Sequence, residues 1–205
     1  MSTAGVDHLT GATVADAPPP CRECVWWQTR PGRDPVEKRR WIEAAEDEFG
    51  PWGKVYRDGG RVIGLVQYGP ADAFPRAHAM PAGPPSRDAV IITCAYLIEA
   101  GSPWTLQSLI LAAIGECRDR GLHALEAYAY RYGPDAAFPE RFVRHRTIFP
   151  ADFLRDFGFH TRRSAGRIEL MRLDLRAIVP AREPGRLERL RSRLQVVDPS
   201  PAAVR

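Results

Sequence analysis

The stretch Asp88-Ala89-Val90-Ile91-Ile92-Thr93-Cys94-Ala95-Tyr96-Leu97-Ile98 decides the architecture. Its apolar residues run on without alternation, as in a strand buried on both faces of a covered sheet. Four residues further on, a helix begins. Leu106, Leu109, Ile110, Ala113, Ile114 and Cys117 fall at i, i+3, i+4, i+7, i+8 and i+11, one apolar stripe. Ser102 is placed to cap this helix, Pro103 suits its first position, and Gly121 ends it after Arg118 and Arg120. Leu122 to Tyr128 then reads as a second strand. A strand, a short loop, a helix and a strand make a crossover unit with two parallel strands.

Upstream of this unit, Asp34-Pro35 opens a helix expected to reach Phe49 and to stop at Gly50-Pro51. Lys54–Tyr56 and Arg61–Tyr68 flank Asp58-Gly59-Gly60, a hairpin signal. Residues 69–87 are rich in Pro, Gly and Ala and read as a long surface loop. Downstream, residues 131–149 read as an irregular loop and Pro150–Phe157 as a short helix ended by Gly158. Phe159–Arg163 and Arg167–Leu175 read as a closing antiparallel pair. Leu187, Leu190 and Leu194 form a stripe on an arginine-rich helix. The organisation expected is a loose segment over residues 1–20, a domain over 21–176, and a C-terminal helix and tail over 177–205. The fold class is α/β (α+β): a mixed, mostly antiparallel sheet with a central parallel pair and flanking helices.

With 44% hydrophobic and 26% charged residues among 205, the chain can bury a sizeable core. No apolar run approaches the roughly 20 residues of a membrane span. Met1 to Pro20 lacks the basic start and apolar centre of a signal peptide, so a cytoplasmic location is expected. The net charge of +4 comes from arginines spread along the chain, without a basic face and a reading motif together. Neither a membrane nor a nucleic-acid partner is therefore expected. Cys21 and Cys24 form a Cys-x-x-Cys pair, but zinc needs two more ligands at workable spacing. Cys94 sits in the apolar strand and Cys117 on the apolar helix face, so buried thiols are expected rather than a metal site.

Several short segments, in order, resemble the GNAT (Gcn5-related N-acetyltransferase) family, and in wording a group of its actinobacterial members. They are Cys24-Val25-Trp26-Trp27, Phe74-Pro75-Arg76-Ala77, Asp88-Ala89-Val90-Ile91-Ile92-Thr93, Arg120-Gly121-Leu122-His123-Ala124-Leu125-Glu126-Ala127, and Pro150-Ala151-Asp152-Phe153-Leu154 with Gly158-Phe159. The order of elements is similar too. The resemblance implies transfer of an acetyl or other acyl group from acetyl-CoA or another acyl-CoA to an amine, on a small molecule or a protein. Homodimerisation is left open.

The resemblance also implies where the coenzyme would lie. The family's loop Arg/Gln-x-x-Gly-x-Gly/Ala cradles the diphosphate at a helix N-terminus, where free amides and the helix dipole face an anion. The corresponding segment here is Gly101-Ser102-Pro103-Trp104-Thr105-Leu106. Gly101 replaces the basic or amide residue, and Trp104 and Leu106 stand where the family has glycines. Pro103 removes one donor. This loop is degenerate for phosphate binding, and the Trp104 indole is placed to obstruct it.

Cofactor contacts implied are the backbone of Leu97 and Ile98 with Gly101, Ser102, Trp104 and Thr105. Leu154 stands where many members carry a proton-donating tyrosine. The catalytic candidates are Glu126, able to position or deprotonate an amine, and Tyr96, able to hydrogen-bond a substrate. Glu99 is a second possible base. The other reading of these three is a strand carboxylate paired with arginine, a partly buried tyrosine and a solvated carboxylate. Around His145, Arg141, Arg144 and Arg146 could hold a phosphate or carboxylate, or be solvated. Three functions remain in view: an acyltransferase, a non-catalytic module of the same fold, and an enzyme of this fold using another donor.

Overall fold

The computed structural model describes residues 4–98, 103–137, 141–142 and 144–177. Glu99, Gly101, Ser102 and the helix expected over 187–194 lie outside the described residues.

Ala89–Leu97 (β4) is the central strand of an eight-stranded sheet, and Pro103–Asp119 (α3) crosses over to Ala124–Tyr130 (β5), parallel to β4. Gly5–His8 (β1), Gly53–Asp58 (β2) and Arg61–Pro70 (β3) extend the sheet antiparallel on one side. His160–Ala165 (β7) and Ile168–Asp174 (β8) close it on the other, giving the order β1-β2-β3-β4-β5-β8-β7. A two-residue strand, Phe149–Pro150 (β6), pairs parallel with β5. Further helices are Pro19–Arg22 (α1), Lys38–Phe49 (α2) and Ala151–Arg155 (α4), with short 3₁₀ turns at Val14–Asp16, Ala71–Ala73, Pro75–Ala79 and Leu175–Ala177.

Each face of the sheet carries its own core. On one, Val66, Tyr68, Val90, Ile92, Leu125 and Ala127 meet the α3 stripe read from the sequence, together with Leu154 of α4. On the other, Val55, Leu65, Ile91 and Tyr128 meet Trp27, Ile42, Trp52 and Phe74. An unalternating β4 is thus explained by a helix layer on one side and an aromatic layer on the other. Among the described residues no helix is long and apolar enough to cross a membrane.

Three local expectations are corrected. The described part of the expected loose segment, residues 4–20, is ordered into the fold: β1 pairs with β2, and Leu9 and Ala17 are buried. The second helix starts at Lys38 rather than Asp34, with Glu37 as its extended first flank. The 131–149 segment ends by returning to the sheet as β6, because Phe149 is buried against the α4 side and anchors it there.

Candidate functional site

The parallel pairing of β4 and β5 runs only from Ala89–Ala124 to Ile92–Ala127. Beyond that register the strands part. At the same level β4 carries a bulge, since Gln67 of β3 faces Thr93 and Leu65 faces Tyr96, leaving two residues of β4 opposite Val66. Cys94 takes φ 62°, left-handed backbone that L side chains seldom adopt and that costs about 1–2 kcal/mol. Period two would send Cys94 and Tyr96 to the same face as Val90 and Ile92. The bulge breaks that period, so Ala95 and Leu97 join the α3 core while Cys94 and Tyr96 turn to the opposite face.

There they line a pocket of ≈ 210 Å³. Its floor is Cys94, Tyr96 and Gln67; one wall is Pro20, Cys21 and Cys24, and the other is Arg146 and Thr147 from the segment leading into β6. The Arg146 guanidinium lies 5.0 Å from the centre of the Tyr96 ring. Gln28 Nε2 donates to Gln67 Oε1 at 2.8 Å and fixes that side chain. Lys38 is buried behind the Cys24 turn. Its Nζ donates to the Cys24 carbonyl at 2.9 Å and sits 4.9 and 5.1 Å from the Trp41 and Trp52 rings. Burial lowers the Lys38 pKa from its ordinary value. Burial pushes the Cys21 and Cys94 thiols up to about 12, so they are neutral apolar walls rather than nucleophiles. Among the described residues no three His, Cys, Asp or Glu side chains are placed to hold a metal ion. A larger recess (≈ 550 Å³) between Gly11–Glu23 and α2 touches neither β4 nor β5.

The gap between the diverging strands is bridged by the chain itself. Cys94 N–H donates to the Thr147 carbonyl at 3.2 Å, while Phe149 and Pro150 pair with Ala129 and Tyr130. The indole of Trp27 donates to the same Thr147 carbonyl at 3.1 Å. Further along β4, Ile98 N–H donates to the Ile63 carbonyl at 2.9 Å. Hydrogen-bonding direction alternates along a strand, so the Leu97 amide faces the gap and the Ile98 amide does not.

The first turn of α3 opens beside Leu97: a Cβ at Gly64 would lie 2.8 Å from the Thr105 methyl and 3.0 Å from Leu97 Cδ2. Glycine at 64 is what lets helix and strand approach so closely. Thr105 is buried in this contact. Trp104, expected to obstruct the loop, is 73% exposed and points to solvent. Trp104→Ala is therefore expected to change neither stability nor acetyl-CoA affinity by more than about 0.5 kcal/mol, read by thermal melts and titration.

Glu126 is not brought to the pocket. It is fully buried in β5 beside β8, where Ser86 N–H donates to Oε2 at 2.7 Å, the Ser86 hydroxyl to Oε1 at 2.6 Å, and Arg172 to Oε1 at 3.4 Å. Both oxygens accept hydrogen bonds that tie the loop before β4 to the sheet. The arginine cluster also divides. Arg141 pairs with Asp152 and donates to the Ala136 carbonyl, and Arg146 alone reaches the pocket. His145 is stacked 4.3 Å from Tyr130, with the Tyr132 hydroxyl 2.6 Å from its Nδ1. Burial and then Arg144 lower its pKa. Leu154, in place of a proton donor, is core.

No family model matches the sequence, and the search of curated proteins gives no match. Solved structures do match. An N-acetyltransferase from Staphylococcus aureus Mu50 superposes with TM-score 0.51 at 13% identity, over 85% of this chain and 99% of its own. YncA, a putative acetyltransferase from Salmonella typhimurium with its cofactor acetyl-CoA, gives 0.51 at 17% identity, over 85% and 95%. The chain has the GNAT fold. The loading GNATL domain of CurA from Lyngbya majuscula is similar at TM-score 0.50 and 10% identity, over 85% and 99%. In this GNAT-fold chain the bulge and the divergence fall on one stretch of one strand, which is what gives the site two sides.

Proposed function

We propose that the protein is an N-acyltransferase that moves an acyl group from acyl-coenzyme A to an amine held in the pocket beside Tyr96. One observation carries the reading. Within four residues of β4, the Leu97 amide faces the gap between the strands and the bulge turns Cys94 and Tyr96 into a pocket on the other face. A thioester arm along the gap and an amine in the pocket would meet at that strand.

The residues fit the coenzyme in part. The Leu97 amide and the first turn of α3 at Trp104 and Thr105 are suited to an acyl-CoA, with Gly101 and Ser102 expected between them. The Cys94 amide is not suited, because Thr147 already accepts from it. When bound, the coenzyme supplies an activated acyl carbon. The chain orients: Leu97 N–H holds the carbonyl oxygen, and the Tyr96 hydroxyl hydrogen-bonds the acceptor. Among the described residues no carboxylate lines the pocket. An amine arriving neutral would lose its proton on acylation to the departing thiolate.

A second reading rests on the Thr147 bridge. A gap closed by the chain's own backbone favours a binding module that keeps the pocket and has given up the coenzyme. Titration calorimetry of the full chain with acetyl-CoA separates the two. The enzyme reading expects saturable heat and a raised Tm at sub-millimolar ligand. No heat and no stabilisation at millimolar acetyl-CoA would leave only the module.

A further inference from the structure

The pocket under the β4 bulge has largely apolar walls and one cationic lining residue, Arg146. Arg146 is half-buried, stacks on Tyr96, and has no carboxylate within ion-pair reach among the described residues. Lys38 lies behind the Cys24 wall rather than in the pocket, held by the Cys24 carbonyl and two indoles. A guanidinium left unpaired at the edge of an apolar cavity is a receptor for a planar anion, because its fork matches a carboxylate in two parallel hydrogen bonds. The cavity's ≈ 210 Å³ is short of a drug-sized pocket at about 300–1,000 Å³. One guanidinium and neutral thiols suit a monoanion with a compact body rather than a phosphate ester.

We infer that this pocket binds a small apolar or aromatic monocarboxylate, with Arg146 holding the carboxylate and Tyr96, Cys21 and Cys94 packing on its body. Resting on the acyltransferase reading, this makes the acceptor an amine that also carries a carboxylate, of the aminobenzoate or small apolar amino-acid class. The binding claim itself does not depend on acyl transfer.

The test is calorimetry and thermal melting of the full chain with benzoate, 4-aminobenzoate and aniline. Benzoate and 4-aminobenzoate are expected to bind and raise Tm, and aniline, which lacks the carboxylate, to do neither. Arg146→Gln is expected to weaken both acids about 10- to 100-fold, Arg146→Lys to retain part of the affinity, and Arg144→Gln, on an exposed residue away from the pocket, to change nothing. Equal binding of aniline and benzoate, no binding of either acid, or an Arg146→Gln variant with unchanged affinity would overturn the inference. If Arg146→Gln fails to fold, the three ligands on the unaltered chain decide. Acid binding without acetyl-CoA binding would refute the donor and leave the ligand class standing, whereas acetyl-CoA binding without acid binding would do the reverse.

Discussion

Glu126→Ala is expected to lower stability by about 3 kcal/mol. The buried carboxylate accepts from two groups of Ser86 and from Arg172. Its removal orphans the Ser86 amide and hydroxyl, at about 1–3 kcal/mol for a buried unsatisfied group, and leaves a void. Arg172 moderates the loss because it keeps Asp88, to which it donates at 2.7 and 3.0 Å. For a chain of this length the corresponding fall in Tm is about 6–12 °C. Glu126→Gln retains the volume and one acceptor, so about half the loss is expected, and Ser86→Ala should act in the same direction. The melts also decide the role. A catalytic base would show Glu126→Gln inactive with an unchanged melting temperature, whereas a residue that ties the 84–88 loop to β5 shows a lowered Tm with activity in proportion to folded protein.

The sequence carried the scaffold because the signals there are local and periodic. The α3 stripe, the Gly59-Gly60 turn and the unbroken apolar run of β4 each need only their own residues to be read, and all three stand in the structure. The site was legible only in fragments. Tyr96 lines the pocket, yet its direction depends on a one-residue bulge that no composition signals. Strict alternation from Ile92 would have put it under α3. Cys21, Cys24 and Cys94 read as unrelated thiols and are brought together as walls, because α1 folds back onto β4. Lys38, at the start of an amphipathic helix, carries no sign that its ammonium is buried. Glu126 misleads for the converse reason. A carboxylate in an apolar strand is the pattern of an active-site acid, and its partners Ser86 and Arg172 lie 40 and 46 residues away. Trp104 misleads because bulk alone does not say which way an indole turns from a helix N-terminus.

Trp27→Ala is expected to have the largest effect on stability of any single change near the site, about 4 kcal/mol, or about 8–16 °C in Tm. The ring is 1% exposed and lies parallel to Tyr128, with centroids 5.9 Å apart and planes 19° apart. Truncation removes that stack, opens a cavity beside β5 and frees the Thr147 carbonyl of one of its two donors. Trp27→Phe separates these consequences. Phenylalanine keeps an aromatic face on Tyr128 but has no N–H, so the core loses about 1 kcal/mol for a single hydrogen bond while Thr147 is left with the Cys94 amide alone. That amide is at the bulge, and Thr147 is what closes the gap between β4 and β5. If the gap receives an acyl-CoA arm, its own plug competes with the ligand, and loosening the plug by about 1 kcal/mol should tighten acetyl-CoA binding by up to about fivefold. Calorimetry on Trp27→Phe reads this directly. A tighter complex assigns the gap to the donor and makes the 147–150 segment a built-in competitor. An affinity equal to the parent's, or weaker in proportion to lost stability, means the segment is a fixed part of the sheet and any donor must approach β4 from elsewhere.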